Sequence, residues 1–219
     1  MTPAIETEPP FETVEDLLAQ LGDIPAERVL LRPAPGTATE ADVLAYEAAP
    51  RKRLCELIDG VLVEKAMGYP ESLLAGTLVT YLNMFVMPRN LGLVSTADGM
   101  MRLFAGRVRI PDVAFVSWDR IPGRRRPKAP IPDIAPDLAV EILSRSNTRK
   151  EMELKRRDYF RAGTRLVWQI DPVARIVEVY TSSSTFSTHD ENATLAGDPV
   201  LPGFTLSLRD LFAECDRQG

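Results

Sequence analysis

A single histidine, His189, and two cysteines, Cys55 and Cys215, are all that this 219-residue chain offers of the residues that build most transition-metal and thiol chemistry. One histidine cannot supply a multi-histidine metal site. Two cysteines 160 positions apart, with no CxxC, cannot form a zinc ribbon or an iron–sulfur centre. Long hydrophobic runs are missing too. The longest apolar stretch, Leu73–Met87, is interrupted by Gly76, Thr77, Thr80, Tyr81 and Asn83 and falls short of the ~20 residues that span a bilayer. The opening residues are acidic and carry Pro3, Pro9 and Pro10, with neither the basic nor the apolar region of an export signal. The expected location is therefore cytoplasmic, with reduced thiols. Catalysis, if present, must rest on carboxylates, lysine, arginine, tyrosine or serine.

What the chain does contain is ordinary globular material, 45% hydrophobic and 26% charged, which disfavours disorder, collagen and coiled coil. The formal net charge of −5 argues at first against a nucleic-acid partner. Its distribution changes that reading. Arg102 to Arg165 holds 16 Lys and Arg against 8 Asp and Glu, while the rest of the chain holds 10 against 23. A basic middle is set in an acidic frame, read either as solvated helix and loop faces or as a phosphate-binding region.

No repeat or low-complexity tract interrupts the chain. Met1–Pro10 reads as a disordered tail, and Thr13–Leu21 and Thr39–Ala49 as short helices joined through a Pro- and Gly-rich linker, Arg32–Thr39. Residues 1–50 are thus expected to be a tail and accessory helical segment, and 51–219 the compact domain. That domain opens with two strand-like runs, Leu54–Ile58 and Val61–Glu64, around Asp59-Gly60, a strong hairpin signal. Helical spacing of Leu73, Leu74, Leu78, Tyr81, Leu82 and Phe85 predicts a helix over Pro70–Met87. Strands are expected at Leu93–Thr96, Met100–Phe104, Arg109–Ser117, Asp137–Leu143, Leu166–Ile170, Arg175–Tyr180 and near Phe186. A Pro-rich basic loop spans Asp119–Pro136, a helix runs over Arg149–Ala162 to Gly163, and a last helix covers Leu208–Cys215. The pattern predicts an α/β layer around a mixed sheet.

Carboxylates fall where they are costly. Asp112 opens the apolar run Val113–Val116, and Glu141 interrupts Leu138–Leu143, where an ionised group on a two-sided apolar strand needs a partner or a metal. Glu56 sits similarly between Cys55 and Leu57. On the Arg149–Ala162 helix, Lys155 lies three after Met152 and four before Tyr159, which turns it toward the sheet. Each has a plain alternative: strand entry for Asp112, an end-of-strand glutamate reaching solvent or a structural arginine for Glu141, a hairpin edge that tolerates charge for Glu56, and snorkelling to water for Lys155. Trp168 and Tyr159 read as core.

Three carboxylates and a lysine without histidine suit Mg²⁺- or Mn²⁺-dependent phosphodiester hydrolysis, in which hard oxygen ligands bind the ion and the lysine holds or helps deprotonate the attacking water. Taken in order, Arg53-Leu-Cys-Glu-Leu-Ile-Asp-Gly60, Ile110-Pro-Asp-Val113, Pro136-Asp-Leu-Ala-Val-Glu-Ile-Leu-Ser144, Lys155, Tyr159, Gly163, Trp168 and Asp171-Pro172 resemble the Uma-type restriction endonuclease family of the PD-(D/E)xK nuclease superfamily. The likeness runs from about Arg51 to Phe212.

That resemblance implies a restriction-endonuclease-like mixed β-sheet flanked by helices, one Mg²⁺ or Mn²⁺ centre, and DNA as substrate, with a homodimer as an admissible assembly. It makes Asp112, Glu141 and the backbone carbonyl of Ile142 the metal ligands, with Glu56 orienting water or completing the shell. One position departs from the superfamily pattern: lysine is expected two residues after the glutamate, and position 143 is Leu. In the resembling family the lysine moves to the following helix, where Lys155 stands. Within this frame Arg124, Arg125, Arg126 and Lys128, on the loop between the strands of Asp112 and Glu141, are candidate DNA contacts giving affinity rather than sequence readout. Two other readings stand beside the nuclease: a non-cleaving nucleic-acid-binding module, and carboxylates that merely pair with Arg102, Arg109 or Lys155.

Overall fold

The computed structural model describes residues 11–66 and 68–216, so the tail expected for Met1–Pro10 lies outside the described residues. In chain order, α1 (Val14–Gln20), β1 (Val29–Leu30) and α2 (Glu40–Ala48) precede the hairpin β2 (Cys55–Ile58) and β3 (Val61–Glu64). Its two-residue turn places Asp59 and Gly60 at φ 48° and 78°, the left-handed pair that the Asp-Gly signal demands. There follow α3 (Tyr69–Val86), β4 (Gly92–Ser95), β5 (Met101–Phe104), β6 (Arg107–Arg109), β7 (Val113–Ser117), β8 (Leu138–Ile142), α4 (Arg149–Arg161) and β9 (Leu166–Asp171). The chain closes with β10 (Ile176–Tyr180), β11 (Phe186–Asp190), β12 (Thr194–Ala196), β13 (Thr205–Ser207) and α5 (Leu208–Ala213).

These strands form more than one sheet. The mixed sheet flanked by helices is six-stranded, ordered β11-β10-β9-β8-β7-β4, with β8 and β9 parallel and joined through α4. A second, antiparallel sheet is ordered β1-β3-β2-β6-β5, and β12 pairs with β13 apart from both. The continuous strand expected over Arg109–Ser117 is two strands. Pro111 has no N–H to give a ladder, so pairing stops at Arg109 in one sheet and resumes at Val113 in the other. Ile110-Pro111-Asp112 is the strap between them.

Period-two alternation along β8 divides its side chains cleanly. Leu138, Val140 and Ile142 enter the core beneath α3 and α5, with Leu78, Leu82, Trp168 and Phe212. Ala139 faces the opposite side, with Tyr159 of α4. Glu141 shares that second face, and β8 is buried along its whole length.

The segment 11–50 is built into the same structure. β1 pairs with β3, and Leu17, Leu21, Ile24 and Val29 pack on Ile58, Val61 and Val63. Arg28 reaches α4 through a forked pair with Glu151, at 2.7 and 3.0 Å, and donates to the Glu64 carbonyl.

Candidate active site

The inward face of α4 is charged rather than apolar. Glu151, Lys155 and Asp158 are all buried with Met152 and Tyr159, and each charged group has a partner. The N-cap Thr148, which accepts from Glu151 N–H at 3.0 Å, fixes where this face begins. Lys155 extends to β8, where its Nζ donates to Glu141 Oε2 at 2.8 Å and lies 3.4 Å from Glu56 Oε1. One turn later, Tyr159 donates its hydroxyl to Glu141 Oε1 at 2.6 Å. Both oxygens of Glu141 are thus engaged from the same helix.

Asp112 reaches this point from the strap. Its N–H donates to the Val140 carbonyl at 3.0 Å, and its Oδ2 accepts from Ile142 N–H at 2.6 Å. Since Val140 and Ile142 flank Glu141, the two acids stand on neighbouring chains. Asp112 Oδ1 is ion-paired with Lys65 at 2.8 Å, and Lys65 also donates to the Ile110 carbonyl. Glu56, on the other sheet, accepts from Ile110 N–H at 3.0 Å and from Arg109 Nη1 at 2.7 Å. Arg109 in turn donates to Asp158 on α4 at 2.6 and 2.9 Å.

Glu56, Asp112, Glu141 and Lys155 are therefore brought together from β2, the strap, β8 and α4, with residue exposures of 1 to 4%. Arg102 is not among them. It pairs with Glu40, so the pairing considered between it and these carboxylates does not occur. Leu143 continues β8 beyond Ile142, its N–H bonded to Ile170, and brings no charge to the centre. Arg124, Arg125, Arg126 and Lys128 are exposed, and the one ion pair among them joins Arg124 to Asp119 within the loop. Among the described residues no hydrogen bond or ion pair ties these four side chains to the acids.

Electrostatics divide the acids. Burial pushes the Glu56 carboxyl up, but Lys155, Arg109 and Lys65 outweigh it and hold its pKa well below the usual carboxylate range. Glu141 goes the other way: burial raises its pKa, Lys155 pulls it back, and the Asp112 carboxylate raises it again. Burial disfavours the Lys155 ammonium, yet Glu141 and Glu56 keep its pKa above the ordinary lysine value. A lysine held charged in this way donates and orients; it is a poor proton acceptor.

Two participants escape the sequence reading, Lys65 and the Tyr159 hydroxyl. Arg109, considered from the sequence as a partner of the carboxylates, does pair with Glu56. Lys65 follows a strand in a commonplace Glu-Lys pair, with nothing in its spacing to turn it inward. Tyr159 was assigned to core on helical spacing, and its ring is core, while its hydroxyl serves Glu141. An O–H on a buried aromatic, one turn after an inward lysine, was the available signal.

The donor chemistry fits a hard divalent cation. Among the described residues no three His, Cys, Asp or Glu side chains converge into a cage. Mg²⁺ needs none, being commonly held by one or two carboxylates with waters and substrate phosphate. Asp112 and Glu141 are the pair that could do so, and the burial and mutual repulsion that raise Glu141 are what a cation would relieve.

A mixed sheet with an acid at the end of one strand, a second acid within the next, and a lysine beside it define the restriction-endonuclease-like class of α/β fold. Comparison with known proteins agrees. Residues 41–209 match the family model Uma2, described as "Putative restriction endonuclease", and the chain belongs to that family. Among solved structures it is similar to a protein described as a putative nuclease belonging to DUF820 from Anabaena variabilis, at 26% identity and a TM-score of 0.66, over 74% of this chain and 92% of that one. No curated protein matches. No helix among the described residues is long and apolar enough to cross a membrane.

Proposed function

We propose that this protein is a metal-dependent endonuclease that hydrolyses DNA phosphodiester bonds at the Asp112–Glu141 centre. The observation that carries the reading is the assembly itself: two acids on adjacent chains, one of them bonded to a charged lysine, inside a fold whose family is described as an endonuclease. Asp112, Glu141 and the Ile142 carbonyl would hold Mg²⁺ or Mn²⁺, which when bound lowers the pKa of water and takes up charge developing on the phosphate. Lys155 and Tyr159 fix the rotamer of Glu141. The Ile142 N–H fixes Asp112. Glu56, kept ionised by Arg109 and Lys155, is the carboxylate able to orient an attacking water. Arg124, Arg125, Arg126 and Lys128 add phosphate affinity along the basic loop.

The test is nicking of supercoiled plasmid in Mg²⁺ or Mn²⁺ by wild type, Asp112→Asn and Glu141→Gln. The expected result is loss of product in both variants. Equal nicking by all three proteins would overturn the reading. Leu143 at the superfamily's lysine position favours a second reading, a DNA-binding module that does not cleave. It predicts salt-sensitive DNA affinity and no product in either metal.

A further inference from the structure

The Lys65 side chain, buried beside Asp112, also lines a cavity. That cavity, of about 410 Å³, is lined by Lys52, Arg53, Leu54, Glu64, Lys65, Ala97 and Asp98. Lys65 lines it with a side chain only 4% exposed and ion-paired with Asp112. Lys155 lines neither this cavity nor the larger one of about 740 Å³ beside Leu143.

The geometry points to Lys65 as a second lysine of the site, one that receives a phosphate oxygen of the substrate through this cavity. The inference rests on the nuclease reading and deepens it by naming where the phosphodiester enters. Three observations support it. An ammonium has three N–H donors, and the contacts to the Ile110 carbonyl and Asp112 occupy at most two. Those same contacts hold the Nζ beside Asp112, a candidate metal ligand. The walls are also suited to an anion. Lys52 and Arg53 are bound only loosely there, Lys52 at 3.3 and 3.7 Å from Glu47 and Asp98 and Arg53 at 3.5 Å from Glu64. Such part-exposed pairs contribute little and exchange readily for phosphate. Lys65 thereby supplies, from the position just after β3 and beside Asp112, part of the positive charge that position 143 does not.

The experiment uses the full chain and a short fluorescent DNA duplex, with anisotropy read in EDTA across a salt series and nicking read in Mn²⁺. Lys65→Ala should weaken binding about tenfold, as for one charge-assisted contact, and flatten the dependence of log affinity on log salt by about one ion. Lys65→Arg should restore the slope. Lys65→Met/Asp112→Asn, which removes both charges and leaves no buried acid unpaired, should show the same flattened slope in a folded protein. A merely structural role would not move that slope. If wild type binds and nicks DNA while Lys65→Ala keeps its affinity and slope, the role of Lys65 is overturned and the nuclease reading stands. If wild type neither binds nor nicks, both fall together.

Discussion

Lys155 donates to Glu141 from fourteen residues downstream, across the β8–α4 connection, at 2.8 Å. The pair joins a strand whose other residues are apolar to a helix whose inner face is charged, so each residue is the other's reason for being buried. Lys155→Met should leave Glu141 and Glu56 without their shared cation, costing about 3–5 kcal/mol in urea denaturation and abolishing nicking. Glu141→Gln/Lys155→Met should recover part of that stability and none of the activity. A double-mutant cycle with no coupling would contradict the pairing.

Arg109 holds Glu56 and Asp158 at once while buried at 2% exposure. Arg109→Met removes the guanidinium that links the two acids, leaving Glu56 with Lys155 and Asp158 with the longer Arg107 contact, and should destabilise by about 3 kcal/mol. Arg109→Lys keeps the charge without the fork and should fall between Met and wild type. Chemical denaturation of the three proteins ranks them.

Tyr159→Phe tests a hydroxyl alone. The ring stays in its pocket among Ala139, Val167 and Ala114, so the loss should be about 1–2 kcal/mol, while Glu141 loses one of its two anchors. Nicking should drop by about tenfold, with DNA affinity in EDTA unchanged.

Glu56 sets a pH dependence whose sign is fixed. Its folded pKa lies below its ordinary value of 4.5, so the stability it contributes is present above that value and is lost as pH falls toward the folded one. Glu56→Gln should be less stable than wild type near pH 7, with the gap narrowing below pH 4.5. Urea midpoints for both proteins across pH 3–7 show whether the curves converge.

Residues 11–50 supply a strand and a hydrophobic cluster to the sheet that carries Glu56. We propose that a chain beginning at residue 51 leaves Ile58, Val61 and Val63 uncovered and β3 without its β1 neighbour. It should lose its cooperative thermal transition. A sharp transition matching wild type would show the segment to be dispensable.

The parts legible in the sequence are those where charge contradicts its surroundings. Glu141 in an apolar strand, Asp112 before another, and Lys155 on the inner helical register all announce a cost that only tertiary structure can meet. The Asp-Gly turn and the α4 boundaries were legible because local chemistry decides them. Lys65 was not, because its burial depends on Ile110 and Asp112, more than forty positions away. The two-sheet arrangement was hidden for a similar reason. Pro111 is compatible with an edge strand, and only the pairing of β6 with β2 and of β7 with β8 reveals a crossing. The strands β1, β12 and β13 are two or three residues long, too short for any periodicity.

The strap Ile110-Pro111-Asp112 is tied down at both ends. Ile110 N–H goes to Glu56, its carbonyl to Lys65, Asp112 N–H to Val140, and the Asp112 carboxylate to Ile142 N–H and Lys65. It is a hinge pin rather than a hinge. The two sheets cannot slide past each other without pulling an acid out of register, so the centre exists only while both are docked. Inactivation by denaturant should therefore report on the seam between the sheets, and an enzyme that has merely loosened there will already be silent while its secondary structure persists.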